Sequence, residues 1–261
     1  MIVIAGPCVI ESEELTFELA NYLKKISIQK GFDLYFKASF DKANRSSIES
    51  YRGPGIEEGS RILRRIKNEL GVKILTDIHE PWQADYIKDY VDVIQIPAFL
   101  SRQTDLIIAA AKTGKIVNVK KAQFMSPLEM NNVVKKIISS GNSSIFLTER
   151  GTSFGYNNLV VDMTSLVELK KLGYSVIFDA THSVQRPASE GTSTGGNREY
   201  IGPLSRAAVA VGIDGIFVEV HPEPERSLSD GPNSLALQDF EIYIDSIIQL
   251  NDLIRKMIPN K

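Results

Sequence analysis

Four side chains in this sequence have the chemistry of ligands for a divalent transition metal. Cys8, the only cysteine among 261 residues, follows a short apolar run at 2–5. Three further candidates lie far along the chain: His182, Glu219 and Asp230. A thiolate, an imidazole and two carboxylates suit such a metal, although their spacing forms no local motif. Taken singly, Cys8 can be a small buried hydrophobe and His182 a hydrogen-bonded core histidine, so the fold must bring the four together.

A second group of side chains is cationic and suits the binding of anions. Its members follow successive segments rich in β-branched residues: Lys37, Lys42, Arg45, Lys120 and Arg150. Like charges do not gather in one cavity unless an anion offsets them. Phosphate and carboxylate groups would do so, and arginine binds both in a bidentate manner. A single lysine is commonly a solvated loop residue, so the prediction of an anion site depends on the five cations together.

Strand-like and helical segments that could position these residues alternate along the chain. The strand-like segments lie at 2–5, 33–40, 72–79, 91–98, 115–121, 143–150, 175–182 and 215–221. Apolar residues at helical spacing follow at 13–30, 56–70, 80–90, 101–113, 127–140, 160–172, 202–213 and 235–258. Three serines precede helices and six glycines end them: Ser12, Ser101, Ser126, Gly31, Gly71, Gly114, Gly141, Gly173 and Gly212. Eight repeats predict an α/β fold, a (β/α)8 TIM barrel that forms a single domain over 1–261.

The barrel prediction also gives the location of the chemistry. In such barrels the active site lies at the C-terminal ends of the strands, and polar residues end nearly every predicted strand. Three of them could compete with the four candidates as metal ligands: Asp179, His79 and His221. We expect the two histidines to be structural or to support the ligands instead. The segment 183–203 is rich in Gly, Ser and Thr, which indicates a mobile active-site loop. The alternative, a doubly wound open sheet, would favour a GxGxxG motif after the first strand, and none is present.

Composition and charge exclude several classes of protein. The chain is 43% hydrophobic and 24% charged, with a formal net charge of −2, so bulk charge gives no indication of nucleic-acid or membrane binding. The longest apolar run, at 106–111, is far shorter than the roughly 20 residues of a membrane span. The first residues lack a charged leader and a long apolar run, which argues against export and lipidation of Cys8. A single cysteine fits a reducing compartment, and we expect a cytoplasmic protein.

Long stretches of the sequence resemble the 3-deoxy-D-manno-octulosonate 8-phosphate synthase family, also called 2-dehydro-3-deoxyphosphooctonate aldolase. The matching stretches include IAGPCVIES, FKASFDKANRSSIESYRGPG, NVKKAQFMSP, LTERGTSFGYNNLVVDM, FDATHSVQ and HPEPERSLSDGP, and they cover the chain from Gly6 to Pro232. KANRSS is the most specific, because the sister family that makes 3-deoxy-arabino-heptulosonate 7-phosphate typically carries a KPRTS-like segment there. The resemblance implies condensation of phosphoenolpyruvate with D-arabinose 5-phosphate and water, and release of phosphate.

The resemblance also implies roles for individual residues. One set resembles the phosphoenolpyruvate cradle: Lys37, Ser39, Lys42, Gln95, Lys120 and Arg150. Another resembles the contacts to the pentose phosphate: Asn44, Arg45 and Ser46. Asp77 would hold the sugar or assist proton movement, and Lys120, Arg150, Asp77 and His182 form the expected catalytic set. The usual assembly of the family implies a homotetramer, and its usual pathway is lipopolysaccharide and KDO biosynthesis.

The residue at position 8 separates two classes within that family. Metal-independent members have Asn where this chain has Cys8, so the resemblance implies the metal-dependent class. The implied ligands are Cys8, His182, Glu219 and Asp230, and the implied metal is zinc, iron, manganese or cobalt. The sequence around Arg186 differs from that of some family members, so the resemblance says least about this loop.

Three alternatives stay open from the sequence. The nearest is the heptulosonate phosphate synthase, which uses erythrose 4-phosphate in place of arabinose 5-phosphate. A Schiff-base aldolase would use Lys120 or Lys37 as its nucleophile. A barrel that binds a phosphosugar without catalysis would need the cationic group but not the complete set of metal ligands.

Overall fold

The core of the structure is a closed barrel of parallel strands. The computed structural model describes residues 1–45, 47–186 and 195–257. The barrel strands are β1 (Ile2–Gly6), β2 (Asp33–Lys37), β3 (Lys73–Asp77), β4 (Val93–Ile96), β5 (Ile116–Lys120), β6 (Ile145–Glu149), β7 (Ser175–Asp179) and β8 (Gly215–His221). Each strand pairs with the next, and β1 closes the barrel on β8, from Ile2 opposite Gly215 to Gly6 opposite Glu219. The predicted (β/α)8 TIM barrel is confirmed.

In the part of the chain that the structure describes, eight α-helices surround the barrel. They are α1 (Glu13–Lys30), α2 (Ile56–Leu70), α3 (Pro81–Ile87), α4 (Thr104–Lys112), α5 (Met130–Ser139), α6 (Met163–Lys170), α7 (Ile201–Val211) and α8 (Leu237–Met257). Local capping explains several of their ends. Ser12 accepts a hydrogen bond from the Leu15 amide at the start of α1, and Gly31 ends that helix in the left-handed region, at φ 73°. Within the described residues, no helix is long and apolar enough to cross a membrane.

Some predicted boundaries were wrong. Ser101 does not begin a helix: it ends the short 3₁₀ turn Ala98–Leu100, and α4 starts three residues later, at Thr104. Most predicted strands run past the observed ends; β2, for example, stops at Lys37 rather than at residue 40. The chain leaves the sheet there to form the loops of the mouth, and an isolated bridge between Val9 and Ser39 continues the pairing of β1 with β2.

Two hydrophobic cores result from the alternation of side chains along the strands. Residues that point outward, such as Val3, Phe36 and Ile94, pack against the helices in one large core. Residues that point inward fill the lower half of the barrel in a smaller cluster: Ile4, Tyr35, Leu75, Val93, Phe146, Ile177 and Phe217. Because both faces of the sheet are covered, the strands are apolar at nearly every position.

The segment predicted as a mobile loop, 183–203, is regular in the parts that the structure describes. Gln185–Arg186 pairs antiparallel with Gly195–Gly196, and the 3₁₀ turn Arg198–Tyr200 leads into α7. The centre of the segment, 187–194, lies outside the described residues. Its mobility therefore stays a prediction.

Candidate functional site

On most barrel strands, the inward residue that follows the apolar cluster is polar. Tyr35 is followed by Lys37 on β2, Leu75 by Asp77 on β3, and Phe217 by Glu219 on β8. The period of two along a strand therefore places a polar layer directly above the apolar cluster. This layer lines a pocket with a volume of about 340 Å³ at the C-terminal mouth of the barrel. Eleven of the sequence-predicted site residues line it: Lys37, Lys42, Asn44, Arg45, Asp77, Gln95, Lys120, Arg150, His182, Glu219 and Asp230.

Lys37 and Glu219 form a fully buried ion pair at the floor of the pocket. The ammonium donates to Glu219 Oε1 at 2.8 Å and to the carbonyl oxygen of Cys8 at 2.7 Å. Burial alone would raise the pKa of Glu219, but Lys37 and His182 hold it below its ordinary value. The second carboxylate oxygen of Glu219 is buried without a hydrogen-bond partner.

Lys120, Asp179 and His182 form a second buried network. Lys120 Nζ donates to Asp179 Oδ2 at 2.6 Å and lies 3.8 Å from the centroid of the Phe217 ring. Burial lowers the pKa of Lys120, and Asp179 opposes that effect only in part. Asp179 Oδ2 also lies 2.8 Å from His182 Nδ1, which directs His182 Nε2 toward Glu219 and Asp230. Asp179 thus orients the imidazole.

Arg150 and Gln95 both line the pocket. Arg150 Nη2 donates to the carbonyl oxygen of His182 at 2.9 Å and to Gln185 Oε1 at 2.5 Å. Burial lowers the pKa of Arg150, although neighbouring carboxylates, Asp179 first, oppose it. Asn118 donates to Gln95 Oε1 at 2.9 Å, so the Gln95 amide NH2 group stays available to a ligand.

Lys42 and Asp77 both line the pocket and carry opposite charges. Burial raises the pKa of Asp77, but Lys42 and His79 outweigh it and hold the pKa well below the usual value. The reverse holds for Lys42: burial lowers its pKa, and the surrounding anionic groups raise it well above the usual value. Asp77 Oδ1 is buried and has no hydrogen-bond partner. Both groups are therefore charged, and Asp77 has a free acceptor.

Arg45, in the loop after β2, binds to the loop between β8 and α8. Its guanidinium donates to Ser229 Oγ at 2.8 Å and to the carbonyl oxygen of Leu228 at 3.1 Å. Ser229 Oγ in turn lies 3.0 Å from Cys8 Sγ. Glu11 holds the same loop from the other side, because its carboxylate accepts hydrogen bonds from the Leu228 amide and from Ser227.

A cluster of side chains that could hold a metal ion lies beside the cationic groups. The donor atoms of Cys8, Glu219 and Asp230 all lie within 4.8 Å of one another. His182 Nε2 lies 3.6 Å from Glu219 Oε1 and 3.7 Å from Asp230 Oδ2. Burial and the carboxylates of Asp230 and Glu219 raise the pKa of the Cys8 thiol, and a cation held among these groups would reverse that effect. The mixed thiolate, imidazole and carboxylate set, with a carboxylate oxygen unpartnered, fits a divalent transition metal.

Comparison with known proteins identifies the family. The model of the DAHP synthetase I family matches residues 1–256. A 2-dehydro-3-deoxyphosphooctonate aldolase of Fusobacterium nucleatum is 55% identical over 254 residues, which is 97% of this chain and 91% of the relative. The chain belongs to the 2-dehydro-3-deoxyphosphooctonate aldolase family. Relatives with that name from a Geobacter species and a Cyanothece species are 57% and 54% identical and are covered over 93% and 90% of their length, with 97% and 95% of this chain aligned.

Two of the predicted substrate residues are not among the described residues that line the pocket. Ser39 is fully buried beside β1, does not line the pocket, and its hydroxyl has no hydrogen-bond partner. Ser46 lies outside the described residues. Their predicted roles stay predictions.

The pocket also contains residues that the sequence analysis did not assign. Gln123 and Gln185 bring amide groups, and Pro97, Ala98 and Phe99 form an apolar wall. They all come one to six residues after a barrel strand, in stretches that resemble the aldolase family, which is the signal that could have found them. Two other polar residues at strand ends do not face the pocket. Lys121 follows β5 and Glu149 ends β6, and both are buried on the outer side of the barrel.

Proposed function

We propose that the chain condenses phosphoenolpyruvate with D-arabinose 5-phosphate and water, to give 3-deoxy-D-manno-octulosonate 8-phosphate and inorganic phosphate. One observation supports this above all: five cationic side chains line the same pocket as Glu219 and Asp230, which cluster with Cys8 as donors that could hold a metal ion. The two phosphates and the carboxylate of the substrates require such a concentration of positive charge. The family of the chain supports the same conclusion.

The cationic groups would bind and orient phosphoenolpyruvate. Lys42, Lys120 and Arg150 line the pocket from the ends of three different strands or from the loops that follow them, and Lys37 and Gln95 would complete the cradle. Ser39 is not among the described residues that line the pocket, so its contact with phosphoenolpyruvate stays a prediction. Asn44 and Arg45, together with Ser46, would contact the phosphate of the pentose. Asp77, with a free acceptor oxygen, would hold a sugar hydroxyl or accept a proton.

The reaction forms one carbon–carbon bond and releases one phosphate. C3 of phosphoenolpyruvate attacks the aldehyde carbon of the pentose, water adds at C2, and the resulting hemiketal phosphate loses phosphate from C2. Lys120 and Arg150 would stabilise negative charge as it develops, because both are buried where electrostatic effects are strong. The lowered pKa of Lys120 brings proton transfer from its ammonium closer to neutral pH.

Cys8, His182, Glu219 and Asp230 would hold a divalent zinc, iron, manganese or cobalt ion. Such an ion supplies Lewis-acid chemistry, either to the aldehyde oxygen or to the attacking water. His182 would serve both this site and the catalytic set, and the hydrogen bond from its other ring nitrogen to Asp179 fixes its orientation.

The test of the function is phosphate release from phosphoenolpyruvate with arabinose 5-phosphate, with and without a chelator. We expect release that chelation abolishes and that added Mn²⁺, Co²⁺ or Zn²⁺ restores to different degrees. Full activity in metal-free protein would exclude the metal proposal but not the condensation. Erythrose 4-phosphate is the matched control substrate, and a preference for it would support the heptulosonate reaction instead. Borohydride with a carbonyl substrate should trap no covalent adduct, which separates this chemistry from a Schiff-base aldolase.

The setting of the enzyme is also a proposal. We infer a homotetramer in the cytoplasm that acts on small phosphorylated molecules and takes part in lipopolysaccharide and KDO biosynthesis. Sedimentation equilibrium of the purified protein tests the assembly, and a monomeric mass would contradict it.

A further inference from the structure

A buried ion pair lies behind the pocket, on the outer side of the barrel, and the proposed chemistry does not use it. Glu149, the last residue of β6, and Lys121, the first residue after β5, are 1% and 0% exposed. Lys121 Nζ lies 3.5 Å from Glu149 Oε1. Replacing such pairs by apolar residues of similar volume is often neutral or stabilising, so stability alone gives little reason to keep one.

The carboxylate of Glu149 turns back onto the chain that follows it. Its Oε1 accepts hydrogen bonds from the amide of Arg150 at 3.0 Å and from the amide of Gly151 at 2.7 Å. Its Oε2 accepts from the hydroxyl of Ser165, in α6, at 2.6 Å. Gly151 has φ 91°, so the chain turns sharply at this point. Glu149 therefore fixes the backbone from which the Arg150 side chain enters the pocket.

Lys121 anchors the neighbouring loop in the same way. Its ammonium donates to the carbonyl oxygens of Ala122 and Met125 and to Thr152 Oγ1, at 3.1 to 3.3 Å. The segment between these carbonyls carries Gln123, which lines the pocket. The pair thus joins the ends of β5 and β6 at the level of the mouth.

We propose that Glu149 is a positioning residue for phosphoenolpyruvate binding, and that it acts by holding the two amides that set the direction of Arg150. The Glu149 oxygen that accepts hydrogen bonds from the Arg150 and Gly151 amides is required for binding, whereas the charge of the Lys121–Glu149 pair is not. This inference depends on the proposed function, because it takes Arg150 to bind phosphoenolpyruvate.

Two double variants separate the acceptor from the charge. Lys121→Met/Glu149→Gln removes both charges but keeps a side-chain oxygen for the two amides. Lys121→Met/Glu149→Leu removes the charges and the acceptor at nearly the same volume. Both double variants lose the contacts of Lys121 with the loop that carries Gln123, so they are compared with one another. We expect the Leu variant to bind phosphoenolpyruvate about 10- to 100-fold more weakly than the Gln variant, since a misplacement of about 1 Å in a functional group can cost about 100-fold. The KM for arabinose 5-phosphate should change little in both.

The measurements are the dissociation constant of phosphoenolpyruvate by calorimetry, both KM values, and the urea midpoint of each variant. Equal phosphoenolpyruvate affinities in the two double variants would overturn the proposal and leave a purely structural pair. If the Leu variant does not fold, Lys121→Met/Glu149→Met replaces it, since methionine likewise offers the Arg150 and Gly151 amides no acceptor oxygen and its flexible side chain adapts more easily to the site. A weaker affinity for phosphoenolpyruvate than in the Gln variant, with an unchanged KM for the pentose, supports the proposal, and equal affinity overturns it. Failure of the proposed function looks different, because the wild type itself would then neither bind phosphoenolpyruvate nor release phosphate.

Discussion

At the scale of single residues, the direction of each side chain decides its environment. Lys120 and Lys121 are neighbours, yet Lys120 pairs with Asp179 inside the barrel and Lys121 lies outside it. The same separation applies to Glu149 and Arg150. A charge that points inward can meet substrate, whereas one that points outward must be satisfied permanently by protein groups.

The buried pair of Lys37 with Glu219 leads to a prediction for stability. Lys37→Met leaves the carboxylate of Glu219 buried without its closest cation, so we expect a loss of about 3–5 kcal/mol in the free energy of unfolding. Lys73→Met is the matched control, because Lys73 and Asp33 form a pair that is roughly half exposed, and it should cost less than about 1 kcal/mol. Urea unfolding of both variants measures the two losses. Similar losses would contradict the prediction.

Cys8 gives a second prediction at this scale. Cys8→Asn replaces the soft sulfur donor by an amide, and we expect it to weaken the binding of a transition metal strongly. The measurement is bound metal per chain after dialysis against buffered metal, which does not depend on activity. The urea midpoint serves as the folding control. Unchanged metal content would return Cys8 to the role of a small buried side chain.

At the scale of elements, ion pairs connect the first two helices of the outer layer. Glu13 at the start of α1 accepts hydrogen bonds from Arg61 and Arg65 of α2. These hydrogen bonds, first from Arg61 and then from Arg65, lower the pKa of Glu13 from 4.5 to about 2. The folded state therefore favours the ionised carboxylate, and the stabilisation is present in full only above the unfolded pKa.

The pH dependence of Glu13→Gln follows from this shift. At neutral pH the variant should be less stable than the wild type. Between pH 4.5 and about 2 the difference should shrink as Glu13 becomes protonated in the unfolded and then in the folded state, and it should vanish below that range. Urea unfolding at a series of pH values measures the difference. A difference that stays constant down to pH 2 would show that the pairing contributes nothing.

At the scale of the whole molecule, closure of the barrel requires the close approach of β1 and β2. A Cβ atom on Gly6 would lie 2.0 Å from the carbonyl oxygen of Lys37, which is backbone and cannot rotate away. Gly6 also pairs with Glu219 of β8, so it lies where the first and last strands meet. Only glycine fits this position.

Gly6→Ala should therefore destabilise the barrel as a whole. We expect a loss of about 3 kcal/mol or more, because relief of the clash must move two strands. Gly31→Ala is the control: its Cβ would meet nothing within 4 Å, and only the cost of a left-handed backbone, about 1–2 kcal/mol, applies. Urea unfolding distinguishes them, and equal midpoints would contradict the argument. A normal phosphate-release rate in refolded Gly6→Ala would also do so.

Much of the fold could be predicted because its signals are local. Ser12 and Ser126 were predicted to precede helices: Ser12 caps α1, and Ser126 caps the 3₁₀ turn Pro127–Glu129 that leads into α5. Gly31, Gly71 and Gly212 adopt the left-handed cap conformation at helix ends. Strand ends were less accurate, since a strand stops where its neighbour leaves the sheet, and that neighbour is distant in sequence.

The sequence by itself determined the alternation of strands and helices, the polar strand ends and the identity of most residues that line the pocket. Only the tertiary structure decided which polar residue of each adjacent pair points inward, as with Lys120 and Lys121 or Glu149 and Arg150. The physical reason is that a parallel barrel buries both faces of every strand. The apolar pattern therefore does not show which side chains point into the barrel and which point toward the helices. Closure of β1 on β8 decides which face of each strand points into the barrel, and therefore which polar residues form the site.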